Sequence, residues 1–404
     1  MSDLVRLDTD GSYASAGGPT APGMGDPSVD DRSFPSARSG SMKPTAVSAR
    51  PSFFRRSLRW VVALALLGAL AVVVWPSFDL LGHHDDPVGA AAVGELEGRP
   101  VAVSAGSGPD DTTLRVWDLT TGDPIGEPIV AHPEGVVAMA LGKVDGRPVA
   151  VTGGYDNTVR IWDLATRGLV GEPIRLGNTE RVDALAVGEV NGRAVVVVAA
   201  GWGDSGYELP VWVWDLATHE PFGDPMIGHT DFVSTVALGE VNGRAVAVTG
   251  SVDGTIRMWD LTTREQIGDP MTNGAGVGDV ALGRVDGRQI AVSSDDKDVR
   301  VWDLTTHRLI GAPMAAGHVH GVRTVVVEEI NGRPVALTGG GDDENGGGAV
   351  RVWDLRTHRP LGERMRYANW VGDVAVGHVG GKAVAVTGDG DGDVRVRDLS
   401  AYAR

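Results

Sequence analysis

The sequence predicts an all-β chain, a seven-bladed β-propeller of four-stranded blades, preceded by a disordered tail and one transmembrane helix. A strand-like string recurs seven times at near-constant spacing, a hairpin signal recurs in step with it, and a single apolar run of helix length precedes both. Composition narrows the class further. Gly makes up 58 of 404 residues, about twice the usual share, yet 42% of the chain is hydrophobic, enough for a sizeable core. The absence of Cys excludes a disulfide framework, thiolate metal sites, CxxC redox chemistry and a cysteine nucleophile. The net charge of −17 is uneven: residues 1–75 hold eight Lys/Arg against six Asp/Glu, which leaves −19 on residues 76–404. So acidic a region repels phosphate backbones, and nucleic acid is not expected as a partner.

Residues 1–52 are rich in Gly, Ser, Pro and Ala without apolar periodicity, and read as a disordered tail. Residues 53–59 form a basic juxtamembrane segment with Arg55, Arg56 and Arg59. Together with Arg32, Arg38, Lys43 and Arg50 it is either a solvated linker or an arm drawn to anionic lipid. Residues 60–78 carry no charge and would span about 28 Å as a helix, roughly one hydrocarbon core. Trp60 and Trp75 sit where interfacial anchors sit, with arginines before the run and Asp79, Asp85 and Asp86 after it. Positive-inside bias then puts the N-terminus in the cytoplasm and residues 79–404 outside a cell membrane crossed once. A cleaved signal peptide would need a much shorter leader than these 59 residues.

Residues 79–404 are the repeat. "VRVWDL" and its near copies place an Asp at 118, 163, 215, 260, 303, 354 and 398, at intervals of 45, 52, 45, 43, 51 and 44 residues. A second element, of the type "GxVxGRxVAVTG", holds the dipeptides Glu97-Gly98, Asp145-Gly146, Asn191-Gly192, Asn242-Gly243, Asp286-Gly287, Asn331-Gly332 and Gly380-Gly381. Asn-Gly and Asp-Gly supply the positive φ of a two-residue hairpin turn, and Val/Ala runs flank them. A third element, "GEPI" or "GDPM", follows every copy but the last. Each unit reads as four strands, A and B around the hairpin, C ending in Trp-Asp and D around the Pro.

On these residues the region resembles the WD-repeat β-propeller family, in a membrane-anchored form; the Gly, Ala, Val, Arg and Asp usage suggests a high-GC bacterium. Arg397 departs from the pattern at the seventh Trp. The last unit ends too early for a D strand of its own, and Phe78–Val88 is similar to the D-strand exit ahead of blade four, so this early segment is expected to close the ring.

Residues with the look of chemistry repeat too. His132, Thr152, Asp156 and Trp162 recur as His229, Thr249, Asp253 and Trp259 at identical offsets. A Ser-His-Asp-like triad is needed once rather than once per blade, and the resemblance implies a buried network that braces each blade. Asn178, Asn273 and Asn369 stand near the His position in blades three, five and seven. "GDSG" at Gly203–Gly206 lacks unrepeated partners. The acidic turn Gly388–Asp393 is either a B–C turn or a calcium loop missing its Gly and Glu. His318–His320 is either blade bracing or a metal pair. No cofactor or metal is expected, and no enzyme motif stands in context.

What remains is surface. The D–A and B–C loops share one face, the top. Long B–C loops carry Trp202 and Tyr207 in blade three and Asp342 and Asp343 in blade six, while D–A loops carry Phe232 and Trp370. Aromatics on rigidly held loops are anchors for a protein partner, unless they merely tuck between blades. At the bottom, Arg99, Arg147, Arg193, Arg244, Arg288, Arg333 and Lys382 each follow a hairpin glycine. They either face lipid or staple blades through nearby acids. The expectation is a non-enzymatic protein-interaction platform. An extracytoplasmic glycan- or cell-wall-binding propeller is the alternative, and a propeller lyase or hydrolase the remoter one.

Overall fold

The computed structural model describes residues 79–177, 181–201, 209–342 and 346–403. The tail, basic segment and apolar run expected over 1–52, 53–59 and 60–78 lie outside them. Among the described residues no helix is long and apolar enough to cross a membrane.

The strands form seven antiparallel sheets. In blade one the A strand Val88–Leu96 turns into the B strand Arg99–Gly106, followed by the C strand Thr113–Asp118 and the D strand Ile129–Val130. The A–B turn is tight because both of its residues, Glu97 and Gly98, take positive φ, 52° and 77°, the type I′ geometry. All seven A–B turns repeat it. The B strands are buried on both faces, which is why they read as unbroken apolar runs. Hydrophobic clusters fill the spaces between neighbouring sheets; Val101 and Val103 of blade one, for example, pack with Ala150 and Trp162 of blade two.

Blade three differs, with three laddered strands, Arg181–Val190, Arg193–Gly201 and Val211–Asp215. Its D segment keeps only the bridges Val211–Met226 and Trp214–Pro221. Pro210 stands where other C strands begin, and without an N–H it cannot extend the C–D ladder.

Blade seven is completed from the other end of the described chain. Leu80–His83 pairs antiparallel with Asp393–Asp398 as the fourth strand, as expected of the segment ahead of blade one. The chain enters at the bottom, where the Asp79 carbonyl accepts the Val396 N–H at 2.9 Å and its carboxylate meets Arg397 Nε at 2.9 Å.

Blades are also latched in sequence. The fourth residue after the Trp-Asp aspartate reaches a D-segment carbonyl of the preceding blade. Arg167 and Arg264 donate to Glu127 and Phe222, both at 2.9 Å; His219, His307 and His358 reach Glu172, Asp269 and Ala312; and Tyr402 donates to Glu363 at 2.8 Å. Each latch lies over the Gly of the third sequence element. At Gly268 (φ 67°) an added Cβ would come within 2.4 Å of the His307 ring, so that element is the seat for its neighbour's latch. In blade one the latch position is Gly122, so among the described residues the junction with blade seven has none.

Candidate functional site

In blade two Trp162 Nε1 donates to Thr152 Oγ1 at 3.0 Å, Thr152 Oγ1 lies 2.8 Å from His132 Nε2, and His132 Nδ1 lies 2.8 Å from Asp156. Blade four matches it, with Trp259 donating to Thr249 at 2.9 Å and His229 lying 2.7 Å from Thr249 and 2.9 Å from Asp253. The carboxylate takes the Nδ1–H, which leaves Nε2 to accept the hydroxyl proton. Both hydroxyls are fully buried, out of reach of any substrate.

Other blades vary the set. In blade one His84 lies 2.9 Å from Asp111 and 2.8 Å from Ser104, which accepts from Trp117. His84 comes from the closing segment, so bracing blade one also ties down the seam; its offset of 20 residues from Ser104, as from His132 to Thr152, was the signal that marks it. In blade five Ser293 bonds Asn273 and Trp302, both at 2.8 Å. In blade seven Tyr367, not Asn369, occupies the His position 20 residues before Thr387, and Asn369 donates to Asp391 at the surface. Blade three has Val198 in place of the hydroxyl, and Trp214 Nε1 is buried with no partner among the described residues; Asn178 lies outside them.

Burial drives three of the imidazoles, those of His84, His229 and His318, toward neutrality. It lowers His84 to about 4 against the pull of Asp111, lowers His318 to about 4 with help from Arg351, and lowers His229. The acids go the other way: burial opposes ionisation, but bonds from His132 and Thr158 hold Asp156 at about 2, and bonds from Thr255 and His229 hold Asp253 there.

A set that the sequence reading missed lines the channel. The A strands of most blades carry a bulge near the top, and two carboxylates bond N–H groups beside it. Asp279 accepts from Thr235 of blade four at 2.7 Å, from its neighbour Val280 at 2.8 Å and from Val325 of blade six at 2.7 Å. Asp373 does the same with Thr324 at 3.0 Å, Val374 at 2.8 Å and Ala91 of blade one at 2.8 Å, crossing the closing junction. Burial raises both, Asp373 to about 6. Aligned repeats show the signal, Ala, Ala, Ala, Thr, Asp, Thr, Asp at one position from blade one to seven.

On the top face Phe232 and Trp370 are half-buried at the rim, each against glycines, Gly201 for Phe232 and Gly372 and Gly390 for Trp370. The Arg323 guanidinium lies 4.3 Å from the Trp370 ring. A cavity of about 220 Å³ opens at the channel mouth, lined among others by Asp183, Thr235, Asp279, Arg323, Thr324 and Asp373. Asp342, expected on an exposed loop, is buried instead. Its side chain is 5% exposed, 3.0 Å from Arg351, beside Arg364 and 3.6 Å from His318. It stands four residues after Thr338, as Asp156 follows Thr152, and fills the bracing position of blade six. Trp202, Tyr207 and Asp343, and the segment Gly203–Gly206, lie outside the described residues.

The turn Gly388–Asp393 directs Asp389 inward, where it accepts the N–H groups of Asp391 and Asp393, both at 3.0 Å. Among the described residues no cluster of His, Asp or Glu could hold a metal ion. At the bottom, Arg99, Arg193, Arg244, Arg333 and Lys382 stand 3.6–4.0 Å from the Trp-Asp carboxylate of their own blade. Arg147 is 3.8 Å from Asp145. Burial opposes ionisation of Asp303, but N–H bonds from Thr306 and Thr305, the Thr306 side chain and the charge of Arg288 together lower it. The cations therefore face acids. In those five pairs the carboxylate is shared: in Asp260, for example, Oδ1 accepts Thr262 and Thr263 N–H groups while Oδ2 faces Arg244.

The chain matches the family described as WD domain, G-beta repeat, over residues 124–163, 224–260 and 272–303. No curated protein matches it.

Proposed function

Taking the chain as the WD-repeat β-propeller that its repeats and seven sheets make it, we propose that it is a non-enzymatic platform that displays its top face to a protein partner. Propellers of this family typically serve as interaction scaffolds. One observation carries the reading: the hydroxyl-histidine-carboxylate sets are buried bracing, whereas the aromatic residues that break the repeat, Phe232 and Trp370, sit at the top rim. A rigid ring presents such loops with little ordering cost on binding.

The uncharged run 60–78, with arginines before it and aspartates after, supports a single uncleaved span that leaves the N-terminus cytoplasmic and the propeller extracytoplasmic. The test is protease accessibility in intact cells together with crosslinking through a photoreactive residue at Val319, an exposed top-loop position. Cleavage from outside and recovery of one discrete protein adduct are expected. Protection until lysis would reverse the topology, and retention on wall polymer without a protein adduct would replace the platform with a glycan-binding module.

A further inference from the structure

Around the channel mouth the charges are almost all spoken for. Asp279 and Asp373 each take three N–H or O–H groups, two of them from other blades. Asp183 is held by Arg181 at 2.5 Å. Arg323 is different. It lines the same cavity and is exposed, and among the described residues its guanidinium has no carboxylate partner and no hydrogen bond, only the face of Trp370 at 4.3 Å.

That ring is a fixed support. The Trp370 carbonyl accepts the Gly390 N–H at 2.9 Å and its own N–H donates to Asn369 at 2.8 Å. A Cβ on Gly372 or Gly390 would fall 2.9 or 2.6 Å from the indole, so the ring sits in a glycine seat. The ring supports the guanidinium from one side, and N–H groups that make no hydrogen bond suit a planar anion bound by two parallel bonds. At the matching position the other blades carry Gly89, Val137, Asp183, Ser234, Gly278 and Gly372, so this cation is unique to blade six.

We propose that Arg323, stacked on Trp370, is the anchor of the top face and receives an aspartate or glutamate side chain of the partner protein at the channel mouth. The inference rests on the platform reading and names its chemistry. A cavity of about 220 Å³ is smaller than the roughly 300–1,000 Å³ of small-molecule sites and fits one side chain. The chain's net charge of −17 opposes an acidic partner at long range, but at physiological salt that field is screened within about 8 Å, whereas the contact at Arg323 is not.

The test is selection of randomised heptapeptides on the full-length chain, followed by titration of the winners against Arg323→Gln, Arg323→Lys and Phe232→Ala chains. Enrichment of Asp or Glu is expected, with affinity falling about tenfold or more in Arg323→Gln and partly in Arg323→Lys, which keeps the charge but loses the fork. Arg323 is exposed, so neither change should alter the unfolding midpoint. Peptides that lose affinity in Phe232→Ala but not in Arg323→Gln would overturn this inference and leave the platform reading standing. Peptides indifferent to both, or no enrichment, would overturn this inference and count against the platform as well.

Discussion

At the scale of single residues, the buried relays set the cost of change. Thr249→Val would strip Trp259 Nε1 of its acceptor and His229 Nε2 of its donor in a fully buried site. A loss of about 1–3 kcal/mol is expected for such orphaned groups, read from the denaturant midpoint. The titrations carry signs. His84 has a folded pKa of about 4 against 6.5 unfolded, so its neutral burial contributes fully above 6.5, and the contribution declines as pH falls toward 4. The damage done by His84→Asn should therefore shrink between pH 7 and pH 4.5. Asp373, raised to about 6, has the opposite sign. The folded state binds its proton first, the parent gains stability as pH falls from about 6, and the damage done by Asp373→Asn should grow over the same interval. Unfolding midpoints at the two pH values check both.

At the scale of elements, the repeat is a set of seats and latches. Gly268→Ala forces a side chain onto a positive-φ residue and into the His307 ring, so about 1–3 kcal/mol is expected. His307→Ala removes one inter-blade bond and should cost about 1 kcal/mol. Arg244→Gln should cost less still, under about 1 kcal/mol, because the cation facing Asp260 is 65% exposed. Equilibrium unfolding of the three variants side by side tests the ranking. A larger effect for Arg244 would mean that the bottom ring does more than hold turns.

At the scale of the molecule, the ring has one distinctive junction. Between blades seven and one no latch forms among the described residues, and no turn joins the fourth strand, Leu80–His83, to the strand it pairs with. The seam is held by the His84 relay, by Asp373 bonding Ala91, and by Arg115 reaching the His83 carbonyl. Amide exchange should therefore be faster at this strand than in the A, B and C strands of the ring. Removing residues 79–87 should expose the edge of the Asp393–Asp398 strand and end cooperative unfolding, with aggregation visible in sedimentation. A ring that stayed monomeric and cooperative after that deletion would show the seam to be dispensable.

Features that depend on neighbours within one blade are legible in the chain. Hairpin dipeptides set the A–B turns because two positive φ values suffice for a type I′ turn, and fixed offsets of 20 and 4 residues mark the bracing positions of His84, Tyr367 and Asp342. Tertiary structure alone decided what crosses between blades. The latch of His307 on Asp269, the clamp of Asp279 on Val325 and the stacking of Arg323 on Trp370 join residues 38, 46 and 47 positions apart. Nothing local in the chain encodes those pairings; they exist because closing the ring brings each A strand and each turn against the next blade.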